Sequence, residues 1–127
     1  MIETTMRSDN HSEIHGKIVR VQKLREFSHY NAAKLFSEGE KLLEFDPKRA
    51  EQLFISVVQM EPSNPYGWLY LLFALEDNGR SIIKLLTTCN KLVEVSDKKP
   101  IHGLSGLSKD MMVNYLKKAE LMGLKIR

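Results

Sequence analysis

Residues 32–62 read AAKLFSEGEKLLEFDPKRAEQLFISVVQMEP, and this stretch decides the fold. Ala32, Leu35, Phe36, Leu42 and Leu43 recur at helical spacing, which predicts an apolar stripe on a helix from about Asn31 to Phe45. Asp46-Pro47 stops that helix, because the residue before a proline is disfavoured in the helical region. The same pair starts the next helix: Asp46 can cap it, and Pro47 suits its first position. Ala50, Leu53, Phe54, Val57, Val58 and Met60 then share one side. The helix ends near Glu61-Pro62, and Ser63-Asn64-Pro65 supply a turn.

The pattern continues in both directions. Tyr66, Trp68 to Leu75 predict a helix from about Pro65 to Asp77 that is apolar all round, the mark of a central buried helix. Asn78-Gly79 breaks it, since glycine readily takes the left-handed conformation that ends helices. Ile82, Ile83, Leu85, Leu86, Leu92 and Val93 predict a further helix from about Ser81 to Val95. Residues 96–106, rich in breakers, read as a long loop. Ser108 then caps a last helix carrying Met111, Met112, Tyr115, Leu116, Ala119 and Met122. On the other side, Ser12 caps a first helix with Ile14, Ile18, Val21 and Leu24 on one face, although Gly16 weakens it. Lys17, Arg20, Lys23 and Arg25 decorate the rest of its surface. Residues 1–11 are polar and patternless and read as a flexible tail. Strand signals are nearly absent, so the expected class is all-α, with one domain over residues 12–127.

The two middle helix pairs share a build: helix, tight turn, helix, then a proline or polar break. The stretch Leu35-Phe36-Ser37-Glu38-Gly39, Ala50, Phe54, Val57, Glu61-Pro62 resembles a tetratricopeptide repeat. The resemblance gives Gly39 the place of the glycine that lets paired helices approach. Ala50 takes that of the small residue at their crossing, Phe54 that of the aromatic beside it, and Pro62 that of the closing proline. The next unit is similar to the family but degenerate. Trp68 and Gly79 match, yet Leu72, Lys84 and Thr88 replace the glycine, the small residue and the aromatic. The resemblance spans about residues 32–97 and implies an antiparallel stack of about two degenerate TPR-like repeats. The helices around 13–26 and 108–122 would cap its ends, because stacked repeats leave apolar faces uncovered there.

Chemistry finds little purchase in the sequence. Cys89 is the single cysteine, which rules out an intramolecular disulfide and reads as a buried small hydrophobe in a reducing compartment. His11 and His15 have a helical i, i+4 spacing, but the glutamate between them is one place late for a metalloprotease and the pair lies in the tail. His29 and His102 read as surface residues near helix ends. His102-Gly-Leu-Ser105-Gly lacks the strand and spacing of a nucleophile elbow. The expectation is no enzyme, no metal and no cofactor. The N-terminus has no apolar run of the signal-peptide kind. The most apolar stretch, Tyr66 to Leu75, is about half the length a bilayer demands. A cytoplasmic protein without a membrane span is therefore expected.

Binding remains. Tetratricopeptide repeats commonly hold peptides or partner helices in a groove lined by the first helix of each pair. By that resemblance the groove displays Phe36, Glu40, Leu43, Tyr66, Leu69, Tyr70 and Phe73. Phe36, Glu40 and Tyr70 stand where carboxylate-clamp relatives carry lysine and asparagine, so a hydrophobic or helical partner fits better than an anionic tail. An adaptor or a small chaperone, as in bacterial secretion systems, is the implied role. Two other readings stand beside it. One is a structural subunit of a larger assembly, prone to self-association at an uncovered end. The other is nucleic-acid binding through Lys17, Arg20, Lys23 and Arg25 with Lys117, Lys118, Lys125 and Arg127. Charge leans that way only mildly: residues 1–25 carry +2, 26–96 carry −3 and 97–127 carry +4, for a net +3.

Overall fold

A computed structural model describes residues 20–99, 101 and 103–124. Six α-helices follow one another: α1 (Arg20–Arg25), α2 (Tyr30–Leu42), α3 (Pro47–Met60), α4 (Pro65–Asp77), α5 (Ile82–Lys98) and α6 (Leu104–Leu121). Among the described residues there is no strand. From α2 onward each helix packs chiefly on the next in sequence. The expected tail, the Ser12 cap and most of the first helix lie outside the described residues.

Local chemistry sets most boundaries. The Asp46 carboxylate accepts the Arg49 amide at 3.2 Å, with Pro47 opening α3 as expected. Asn64 does the same for α4, taking the Tyr66 amide at 3.0 Å ahead of Pro65. At the far end of α4, Gly79 adopts φ +67°. The Arg80 amide donates to the Leu75 carbonyl and the Gly79 amide to that of Glu76, both at 3.0 Å. This paired closure satisfies carbonyls that a helix end would leave bare. Gly123, at φ +80°, closes α6 in the same way through Leu124 to Ala119 and Gly123 to Glu120.

Three boundaries differ from expectation. The helix predicted to reach Phe45 ends at Leu42, where the Phe45 and Asp46 amides both turn back to the Leu42 carbonyl and Phe45 is left exposed. The predicted loop over 96–106 shrinks to the residues between Lys98 and Leu104. α5 runs on because Val95 and Ser96 still have core to meet, and left-handed Gly103 turns the chain so that buried Leu104 opens α6. Ser108 is consequently an interior residue, not a cap. Its buried hydroxyl donates to the Ser105 carbonyl at 2.9 Å and meets the Ser96 hydroxyl at 3.1 Å.

The core is centred on α4, where every residue from Leu69 to Leu75 is buried. Its two neighbours on the N-terminal side come unusually close. A Cβ on Gly39 would stand 2.7 Å from Phe54 Cε1 and 2.8 Å from Phe54 Cζ, so the ring occupies the space a side chain would need. Ala50 and Phe54 are fully buried at this crossing. Between α3 and α4, Gly67 plays a similar part: its Cβ would lie 3.1 Å from a methyl of both Val57 and Val58.

Two glycine-to-alanine changes separate crowding from propensity. Gly39→Ala should lower unfolding free energy by about 1–3 kcal/mol, because the buried Phe54 ring has nowhere to retreat. Gly106→Ala, in α6 with open space around it, should raise it by about 0.5 kcal/mol. Urea titration followed by circular dichroism measures both, and equal effects would remove the special standing of Gly39.

Candidate functional site

The predicted groove residues come from α2 and α4, and helical spacing decides which of them meet. Phe36 and Glu40 are four residues apart on α2 and so share a face. Tyr70 on α4 brings its ring to 4.9 Å from Phe36 in an edge-on arrangement, and Phe73 stacks beyond it at 5.1 Å. Phe54 joins from α3, 5.7 Å from Phe36 and 5.9 Å from Tyr70. Each such pair contributes about 0.5–1.5 kcal/mol beyond area burial.

Into the angle between Glu40 and Tyr70 the chain places its own α1. The side chain of Lys23 is fully buried. Its ammonium is hydrogen-bonded to Glu40 Oε2 and donates to the Tyr70 hydroxyl at 2.9 Å. The same nitrogen stands 4.7 Å from the centroid of the Tyr70 ring and 5.9 Å from that of Phe36. Carboxylate, hydroxyl and two π faces thus converge on one cation, each favouring the charged form. Phe27, just past α1, closes the arrangement with its ring 4.9 Å from Phe36. Burial, followed by the charge of Glu40, holds the Tyr70 phenol well above its ordinary value, so it remains neutral.

The sequence reading displayed seven groove residues to a partner; the structure covers most of them. Phe36, Leu43, Tyr66, Leu69, Tyr70 and Phe73 are buried, and only Glu40 keeps part of its surface in solvent. The reason is physical: Lys23 and Phe27 sit against Phe36 and Tyr70, while Leu43 and Leu69 are absorbed by the inter-helix core. Tyr66 is buried with its phenol raised by burial and by nearby Glu26. Lys23 also corrects the basic-patch expectation, since its charge faces Glu40 and not solvent. Arg25 is exposed, Arg20 opens α1, and Lys17, Lys125 and Arg127 lie outside the described residues. Lys117 and Lys118 are exposed and line a cleft of about 370 Å³ together with Glu76, Met111, Asn114 and Tyr115. The carboxylate of Glu76 there accepts the Tyr115 hydroxyl, so the cleft is of mixed charge.

Sequence reasoning did not find the polar anchors that hold the segment after α1. The Glu61 carboxylate is buried and accepts the amides of Ser28 at 3.0 Å and His29 at 2.6 Å, doing for α2 what a capping side chain would. Asn64 donates to the Glu26 carbonyl at 3.0 Å, and Lys99 reaches the Glu26 carboxylate at 3.4 Å. Their only signal in sequence was two polar residues, Glu61 and Asn64, flanking a turn prolines would otherwise define. At the other end of α3, Glu51 accepts Asn78 at 2.7 Å and Arg80 at 3.1 Å.

Cys89 is fully buried, with Sγ 3.5 Å from the Ser108 carbonyl. Burial, aided by the charge of Glu76, pushes its thiol up from 9.0 to about 11. Among the described residues no three His, Cys, Asp or Glu side chains gather where a metal could be held, and no helix is long and apolar enough to cross a membrane. Comparison with models of protein families, with curated proteins and with solved structures found no match for this chain.

The thiol supplies a pH test. A group whose folded pKa is raised stabilises the fold below its unfolded value and loses that contribution as pH rises through the folded one. Unfolding free energy should therefore fall between pH 9 and about 11, by up to roughly 2–3 kcal/mol from Cys89, with Tyr70 and Tyr115 adding the same sign above pH 10. In Cys89→Ala the loss between pH 9 and 10 should shrink sharply. An unchanged profile would show that the thiol is not titrating in that window.

Proposed function

We propose that this protein is a non-catalytic interaction module, an adaptor or small chaperone, that clasps a peptide or helical segment between α2 and α4. One observation carries the reading: a fully buried lysine of a separate helix, held by Glu40, Tyr70 and Phe36. Lysine is costly to bury, and the crevice offsets that cost with a carboxylate, a hydroxyl and two ring faces. The chain's own α1 behaves as a segment bound in cis.

Two further features support it. The Gly39–Phe54 contact and the buried Ala50 fit the first TPR-like repeat, whose relatives bind segments with this face. The buried acids are engaged structurally, Glu61 by backbone amides and Glu51 by Asn78 and Arg80, and the Cys89 thiol is driven toward its unreactive form. A reducing, cytoplasmic setting suits one buried thiol.

Affinity capture from native extract with the wild-type and Lys23→Ala chains tests the reading. One protein in stoichiometric yield is expected, recovered better by Lys23→Ala and released by excess synthetic peptide of residues 12–30. Nuclease-sensitive recovery of nucleic acid, falling steeply with salt, would instead move the activity to the basic ends.

A further inference from the structure

The way α1 is seated describes the chemistry of whatever else can sit there. Lys23 and Phe27 are four residues apart, and the backbone between them keeps turning: the Glu26 amide returns to the Lys23 carbonyl at 3.1 Å and the Phe27 amide to that of Leu24 at 3.3 Å. Both side chains thus reach the same Phe36 ring, Phe27 at 4.9 Å between centroids and the Lys23 ammonium at 5.9 Å from its centroid. Glu40 is 22% exposed, so the cage meets solvent on its carboxylate side. A guanidinium would spread its donors in a plane, whereas the Tyr70 hydroxyl and the Glu40 carboxylate converge on a single nitrogen. The anchors on residues 26–29 are separate from the cage. Glu61 and Asn64 bind backbone, and Lys99 binds Glu26.

We propose, building on the interaction-module reading, that the crevice recognises a partner segment presenting a lysine at the end of a short helix with an aromatic residue four places later, just past that helix. Lys23 and Phe27 are the chain's own copy of that pair and compete with the partner in cis. The tether at residues 26–29 keeps α1 at an effective concentration on the order of millimolar, which sets the threshold a partner must exceed. Glu40 supplies the charge complement, Tyr70 the directional acceptor, and Phe36 the surface shared by both side chains.

The test is fluorescence anisotropy with a fluorescein-labelled peptide of residues 12–30, titrated into the full-length chain. Saturable one-to-one binding is expected for the Lys23→Ala chain, tighter than for wild type by about thirtyfold or more, the scale of a broken buried charge pair. The peptide carrying Lys23→Ala should bind that same chain about thirtyfold more weakly, and the peptide carrying Lys23→Arg should also lose affinity. A Phe27→Ala chain gives the same readout without stranding a charge, should Lys23→Ala fail to fold. Equal binding of the lysine and alanine peptides would overturn the recognition rule while leaving the crevice as a helix site. No binding of any peptide by a variant with a native circular-dichroism spectrum would overturn both. A concentration-dependent dimer of the wild-type chain, lost in Lys23→Ala, would make a second copy's α1 the occupant and overturn the partner proposal.

Discussion

The approach of α2 to α3 over Gly39 is the constraint on which the rest depends. With Phe54 lying where a Cβ would be, the two helices are fixed at a separation that no other residue at position 39 allows. That separation puts the Phe54 ring against both Phe36 and Tyr70, so three helices share one aromatic cluster. Close-packed interiors transmit such a constraint, because neighbouring side chains cannot adjust independently. The position of Tyr70 is in this sense decided two helices away. Only because Tyr70 is held does its hydroxyl meet the same ammonium as the Glu40 carboxylate.

Around this centre the buried polar groups divide into two kinds. Glu61, Asn64 and Glu51 bind backbone groups or turn residues and close gaps where a helix begins or ends. Glu61 and Asn64 take backbone amides that have no partner within a helix, while Glu51 ties the side chains of Asn78 and Arg80 to the start of α3. Glu40 and Tyr70 differ. They bind a side chain that arrives from another helix, and Glu40 retains contact with water.

Much of the fold was legible because α2 to α5 are written in strong local signals: prolines at Pro47 and Pro65, glycine at Gly79, and apolar stripes at helical spacing. The start of α6 was not, since Gly103 carries the turn while Ser108, a good capping residue, is used for a buried hydroxyl pair. The site was half legible. The repeat resemblance implied one groove for Phe36, Glu40 and Tyr70, but helical periodicity cannot say which face another helix will cover. Lys23 looked like surface because lysine almost always is. Its burial depends on Glu40 and Tyr70, residues 17 and 47 positions away, and no local pattern encodes such distant pairing.

Lysine at position 23 makes demands on its surroundings that an apolar residue would not. A leucine there would gain about 1.5–3 kcal/mol from burial, with no preference for one register over another. A lysine surrenders hydration worth several kcal/mol and regains it only if carboxylate, hydroxyl and ring faces all lie in place. Its net stabilisation is therefore modest, while its demand on geometry is strict.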